Sequence, residues 1–219
     1  MIDLDIPNEK ILLAAQQTIY MVGIALIIGT ILGAAMAVIL VLTRKGGIRP
    51  NKIVYGILNA VINVVRSIPF IILMVFIMPL TKAIVGTRIG TTAAIVPLVV
   101  FIAPYLARLL ESSLLEVNRG IVEAAQSMGA TTFQIIWHFL LPESSGSLIL
   151  ALTNGAIGLL GATAMAGAIG AGGVGDLALT YGYERMNFPL MLFTIIVLIV
   201  FVQLIQVLGN FLSRRLRHK

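Results

Sequence analysis

The sequence contains no cysteine, which excludes a disulfide framework, a thiolate nucleophile and a zinc–thiolate site. Charged residues are also scarce: they make up 11% of the 219 residues, against about a quarter in a typical soluble domain. Hydrophobic residues make up 59%, and the mean hydropathy is +1.05. This imbalance predicts an integral membrane protein that forms a single transmembrane domain over residues 1–219.

Signatures of several enzyme classes are missing as well. No G-x-x-x-x-G-K-[ST] stretch occurs, so the chain is not expected to bind ATP phosphates through such a loop. No paired carboxylates or nucleophile–base set can be placed on one helix face, and His138 lacks a second ligand at a suitable spacing. We therefore expect no enzyme activity, no metal site and no cofactor in this chain. Gly170, Gly172 and Gly175 fit G-x-G-x-x-G, but they follow an apolar span, which indicates a turn and not a dinucleotide site.

Five apolar stretches are long enough to cross a membrane, which takes about 20 residues in a helix. They lie at residues 13–42, 53–80, 91–110, 148–169 and 190–212. An odd number of crossings predicts that the two termini lie on opposite sides of the membrane. The first ten residues, MIDLDIPNEK, lack a basic n-region followed by a short apolar core, so we expect no cleavable signal peptide there.

The distribution of lysine and arginine predicts the orientation. Ten of them fall on one side: Arg44, Lys45, Arg49, Lys52, Arg108, Arg119, Arg214, Arg215, Arg217 and Lys219. Four fall on the other: Lys10, Lys82, Arg88 and Arg185. Because positive residues favour the cytoplasm, the N-terminus is expected outside and the C-terminus inside. The net charge of +6 is then explained by membrane topology, and no nucleic-acid partner is expected.

A polar island, residues 123–146, interrupts the apolar sequence on the cytoplasmic side: EAAQSMGATTFQIIWHFLLPESSG. Apolar residues recur around it at i, i+3, i+4 and i+7, a spacing typical of amphipathic helices. The first set is Ile121, Ala124, Ala125 and Met128, and the second is Phe133, Ile136, Trp137 and Leu140. Neither stretch is long enough to span a membrane.

The residues between and after these sets predict where the two short helices end. Gly129 can adopt the left-handed conformation that ends a helix, and Thr131 or Thr132 can cap the next one. Pro142 is expected to stop the second helix. Two interpretations remain open on this basis: the helix pair lies on the lipid headgroups, or it docks a cytoplasmic partner in a groove.

The spacing within the island resembles the EAA loop of the permease subunits of importer-type ABC transporters. The matching positions are Glu123, Ala124, Ala125, Gly129, Leu141 and Pro142. Phe139 departs from the family, which usually has isoleucine there. The stretches RSIPFIILMVFIMPLT and LLGATAMAGAIGAGGVGDLALTYGY also resemble the methionine-transporter permeases, and this likeness covers most of the chain from the second span onward.

The resemblance implies an all-α permease with about five spans, in which a cytoplasmic loop at about residues 112–146 holds a pair of short coupling helices. It implies a homodimer that forms the translocation path and docks two cytoplasmic ATP-binding subunits, which supply the ATP site. It also implies an extracytoplasmic methionine-binding protein and a location in the lipid bilayer of the bacterial inner membrane.

Other function classes fit less well. An ion-coupled transporter usually carries ionisable residues inside its spans, and residues 13–43, 148–171 and 190–213 contain no aspartate, glutamate, lysine, arginine or histidine. A membrane scaffold needs no fixed spacing of Glu, Gly and Pro, so the spacing found in the island argues against that class. The closest alternative is an ABC importer permease for another small amino acid or organic solute.

Small residues mark two further features. Gly29 and Gly33 form a G-x-x-x-G in the first span, within a ladder of small residues four apart, which lets another helix approach closely. In the fourth span, Met165 is the one bulky side chain in GATAMAGA. The family places its fourth span near the pathway, so Met165 is a candidate gate; the alternative is an ordinary packed methionine.

Because of Arg66, two interpretations remain for how the second apolar stretch lies relative to the membrane. Asn59, Asn63 and Arg66 recur at helical spacing. Their helix either lies at the cytoplasmic surface, with the span beginning near Ser67, or crosses the membrane with Arg66 at a polar interface. Pro69 forces a kink or a boundary in both cases.

Overall fold

The structure is a computed structural model and describes residues 7–217. Residues 1–6, on which part of the signal-peptide prediction rests, lie outside the described part. So do residues 218–219 and the side chain of Arg217, and the charge count rests in part on Arg217 and Lys219. Every regular element within 7–217 is helical, as predicted. The helices are α1 (Asn8–Thr43), α2 (Lys52–Ser67), α3 (Phe70–Phe76), α4 (Met78–Val85), α5 (Thr91–Leu115), α6 (Arg119–Ser127), α7 (Thr132–Gln134), π1, which is π-helical (Ile135–Leu140), α8 (Leu141–Glu143), α9 (Ser145–Gly167), α10 (Val174–Asp176), π2, also π-helical (Leu177–Tyr183), and α11 (Phe188–Arg217).

Four of the described helices, α1, α5, α9 and α11, are long and apolar enough to cross a membrane. They coincide with the first, third, fourth and fifth predicted spans. The proline residues Pro97 and Pro104 lie inside α5, which nevertheless runs unbroken for 25 residues. The expected all-α membrane architecture is therefore confirmed, with four spans or five if the bent segment between α1 and α5 is counted as one.

Helices α1 and α5 form the centre of the molecule, and glycine brings them together. A Cβ atom on Gly33 would lie 2.9 Å from the carbonyl oxygen of Ala103 and 2.9 Å from the Cβ of Leu106. A Cβ on Gly29 would overlap the side chain of Ile102. The G-x-x-x-G face of α1 therefore lies directly on α5, at a distance that only glycine allows.

The second apolar segment is bent and not straight. Helices α2 and α3 meet at 104°, and the break lies at Ser67, just before Pro69. Arg108 of α5 donates hydrogen bonds to the side chains of Asn59 and Asn63, which fixes α2 across α5. The break at Ser67 confirms the kink or boundary that Pro69 predicts under both interpretations of Arg66.

The two ends of the described chain lie at opposite ends of the bundle. Near the C-terminus, the Ser213 hydroxyl donates to the carbonyl of Gly146, beside the island. Near the N-terminus, Lys10 donates to the hydroxyl of Tyr181 at 3.2 Å. The island, the end of α1, the end of α5 and the end of α11 therefore share one end of the molecule.

Candidate coupling site

The site begins with α6, the helix that carries the EAA residues. The side chain of Asn118 caps it by accepting a hydrogen bond from the backbone N–H of Gly120 at 2.8 Å. Ala125 is fully buried and belongs to the main apolar core. Glu123 and Ala124 are exposed. One small residue therefore seats the helix on the bundle, and the first two EAA residues remain accessible.

A tight turn at Gly129 follows α6. Gly129 has φ of +80°, and its N–H donates to the carbonyl of Gln126 at 2.9 Å. The N–H of Ala130 donates to the carbonyl of Ala125 at 3.0 Å. These two bonds around a left-handed residue make a Schellman motif, which ends a helix and reverses the chain. A Cβ at Gly129 would meet nothing within 4 Å, so the backbone conformation alone favours glycine.

Thr131, and not Thr132, caps the second helix of the island. Its hydroxyl accepts from the backbone N–H of Gln134 at 3.3 Å, while the side chain of Gln134 accepts from the backbone N–H of Thr131 at 2.8 Å. This reciprocal pair is a capping box. The turn between the two helices is thus fixed from both sides, which lets the pair move as one body.

The prediction that Pro142 stops the second helix is wrong. Pro142 lies in the first turn of α8, where the missing N–H of a proline has no partner to lose. The N–H of Ser144 donates to the carbonyl of Leu140 at 3.1 Å, and the N–H of Leu148 donates to the carbonyl of Ser144 at 2.9 Å. The island is therefore joined through Pro142 to the membrane-spanning helix α9 by a nearly continuous helical path.

The apolar residues of the island divide into two groups that the predicted periodicity did not separate. Leu140 and Ile135 are buried against the bundle, although Ile135 was not on the predicted stripe. Met128, Phe133 and Trp137 are exposed, at 72%, 70% and 60%. The wider i→i+5 turns of π1 shift the register that a 3.6-residue period predicts.

The exposed rings of Phe133 and Trp137 form an apolar patch on the island, the candidate docking face. The rings of Phe133 and Trp137 stack with centroids 6.2 Å apart and planes within 5°. Met128 is also exposed and lines an open depression, together with Gly129 and His138. Large exposed apolar side chains in a cluster mark an interaction surface, and aromatic residues are the usual anchors of such surfaces.

The candidate gate, Met165, lies near the end of α9 that is remote from the island. Met165 is 51% exposed. Asn154, Gly161 and Ala168 are also exposed, and their offsets from Met165 place all four on one face of the helix. Met165 is therefore not an ordinary packed methionine within this chain.

Comparisons with known proteins place these features in a family. Residues 29–218, which include the island and Met165, match the family described as the binding-protein-dependent transport system inner membrane component. The chain belongs to this family. It is a non-catalytic subunit of a transport permease that crosses the bacterial inner membrane several times.

The chain is similar to proteins named as methionine transport permeases over 80% or more of its length. It is 50% identical over 212 residues to the probable D-methionine transport system permease protein MetI of Vibrio cholerae, covering 97% of this chain and 94% of that protein. It is 45% identical to the methionine import system permease protein MetP of Bacillus subtilis, covering 80% and 79%. A chain of the MetNI methionine ABC transporter, solved in an inward-facing conformation, superposes with a TM-score of 0.93 at 42% identity, covering 94% and 96%.

Proposed function

We propose that this chain is the permease subunit of an ATP-driven importer for methionine. It forms the translocation path as a homodimer, binds two cytoplasmic ATPase subunits and receives methionine from an extracytoplasmic binding protein. The observation that carries this proposal is the near full-length similarity to methionine permeases, because it extends through both the island and the fourth span. The whole chain, residues 1–219, acts as one permease domain.

Coupling to the ATPase is assigned to the loop at residues 112–146. Its docking face is apolar and exposed, as expected of a surface that another protein covers. Glu123, Ala124, Gly129 and Pro142 are exposed on the same loop, while Ala125 and Leu141 pack toward the bundle. The helical path from the loop into α9 supports the idea that a push on the docking face moves α9 directly.

The proposed orientation places the island in the cytoplasm. The basic loop after α1 and the C-terminal end of α11 lie at the same end of the bundle as the island. A tag after Lys219 is therefore expected to be cytoplasmic, and a tag before Ile2 to be outside. Protease protection in spheroplasts checks this. Cleavage of both tags from the same side would refute the odd number of crossings.

The barrier of the pathway is assigned to Met165. In a homodimer the same residue arrives twice at the two-fold axis, so one flexible apolar side chain from each subunit can close a narrow passage. Such constrictions also exclude water. The exposure of Met165, on the same face of α9 as Asn154 and Gly161, supports this position.

The substrate assignment is tested by competition. Proteoliposomes that contain the permease, its ATPase and the binding protein take up labelled methionine in the presence of ATP. An excess of unlabelled methionine is expected to abolish the uptake, while unlabelled alanine, histidine or glutamine leaves it unchanged. Equal competition by all four amino acids would mean that the importer serves a broader substrate class.

A further inference from the structure

A cavity of ≈ 290 Å³ lies between the cytoplasmic end of the bundle and α6. One wall comes from the last turns of α1 and α5, where Val41 and Leu114 are buried. The other wall comes from α6 and carries polar side chains, including Arg119 and Gln126. The cavity is thus apolar toward the membrane helices and polar toward the cytoplasm.

Two arginine side chains line the cavity, one from each side. Arg44 follows α1 and Arg119 begins α6, and Glu123 is the one carboxylate among the lining residues. Neither arginine forms an ion pair with Glu123 in the described part of the chain. The lining therefore has a surplus of one positive charge.

Arg44 is held in place by the loop that follows α1. Its N–H donates to the carbonyl of Leu40 at 3.0 Å, and its own carbonyl accepts from the N–H of Gly47 at 2.9 Å. A Cβ on Gly47 would lie 2.7 Å from the carbonyl oxygen of Val41, so the loop folds tightly onto the helix end. The buried Nε of Arg44 has no hydrogen-bond acceptor among the described residues.

The apolar wall continues out of the cavity along α1. A narrow crevice next to it shares Val41, Leu114 and Leu140 and extends past Val38 and Ile136. These residues belong to the last turns of a membrane-spanning helix and to π1. A molecule with an anionic head would place its head between the arginines, beside the apolar ends of α1 and α5.

We propose that this cavity binds the phosphate-bearing headgroup of an anionic phospholipid. Guanidinium groups bind phosphate oxygens in a bidentate manner, and basic pockets at the cytoplasmic ends of membrane helices are suited to anionic headgroups. A bound headgroup would join the end of α1 to α6 and so brace the coupling helix against the bundle. The cavity shares no lining residue with the docking face at Phe133 and Trp137.

Native mass spectrometry of the intact permease–ATPase complex tests the proposal. The probes are phosphatidylglycerol, phosphatidylcholine and inorganic phosphate, each titrated separately. The unaltered complex is expected to bind one phosphatidylglycerol per permease chain, at least about tenfold more tightly than phosphatidylcholine. Arg44→Gln and Arg119→Gln are each expected to weaken phosphatidylglycerol about tenfold, because each removes a charged hydrogen-bond donor.

Matched variants separate the cavity from general surface charge. Lys45→Gln removes a positive charge from the same loop outside the cavity and is expected to change the affinity less than twofold. Arg44→Lys keeps the charge but loses the planar guanidinium group that binds phosphate in a bidentate manner, so its affinity is expected to fall between the unaltered chain and Arg44→Gln. Because Arg119 is exposed, its substitution leaves the fold intact if the Arg44 variants fail to assemble.

Three results would overturn the proposal. One is that the unaltered complex retains no phosphatidylglycerol. Another is an equal loss of affinity in Lys45→Gln and Arg119→Gln, which would indicate a diffuse surface effect. The third is displacement of the lipid by inorganic phosphate at equal concentration, which would make the cavity a site for a free anion.

Discussion

Phe133→Ala tests the docking face most sharply, because the chain offers a matched control. Phe133 is 70% exposed on the island, and Phe188 is 72% exposed at the opposite end of the bundle. A phenylalanine side chain offers about 200 Å² to a partner, so docking buries about 140 Å² of Phe133 that is exposed in the free chain. At about 25 cal/mol per Å², this burial is worth at most about 3.5 kcal/mol.

The measured loss is expected to be smaller than this limit, since association also costs the ordering of side chains. We expect Phe133→Ala to weaken binding of the ATPase subunit by about 1–3 kcal/mol, or roughly 5- to 150-fold. Phe188→Ala is expected to leave the affinity unchanged. Titration of the labelled ATPase subunit onto detergent-solubilised permease measures both. Equal affinities for the two variants would refute the assignment of the docking face to the island.

Four other substitutions test separate parts of the account. Gly33→Ala is expected to lower the free energy of unfolding of the permease by about 1–3 kcal/mol, because its Cβ would press on the backbone of α5. In the control Gly23→Ala, the new Cβ would meet nothing within 4 Å, so this variant is expected to be neutral or slightly stabilising. Gly129→Pro and Glu123→Lys are each expected to abolish ATP-driven transport while membrane insertion remains normal. Co-purification with the ATPase subunit and an uptake assay measure these effects. Unaltered assembly and transport in both variants would contradict the coupling role of the island. Met165→Ala is expected to let small solutes leak through proteoliposomes without nucleotide, and a variant as tight as the parent would place the barrier elsewhere.

Apolar length and turn residues were enough to predict most of the fold. The four long helices follow from uninterrupted apolar runs, and the small residues at Gly29 and Gly33 already indicated a close helix contact. The turn of the island was also predictable, since a glycine followed by a threonine cap has few alternatives. These features depend on residues close together in the sequence.

The features that the sequence did not predict depend on contacts between distant residues. Pro69 predicted the break after α2, but not the packing of α2 across α5, which rests on hydrogen bonds from Arg108 to Asn59 and Asn63, 49 and 45 positions away. The division of the island into buried Ile135 and exposed Trp137 depends on the π-helical turn and on the bundle beneath it. Periodicity identifies apolar residues, but it does not distinguish those that face the chain itself from those that face a partner.

ATP-dependent accumulation of methionine tests the central claim most directly. The permease is reconstituted in vesicles with and without its ATPase subunit, in the presence of the methionine-loaded binding protein, and internal methionine is measured over time. The account predicts accumulation above the external concentration only when both the ATPase subunit and ATP are present, with ion gradients having no effect. Accumulation by the permease alone, driven by a proton or sodium gradient, would contradict it and favour an ion-coupled transporter.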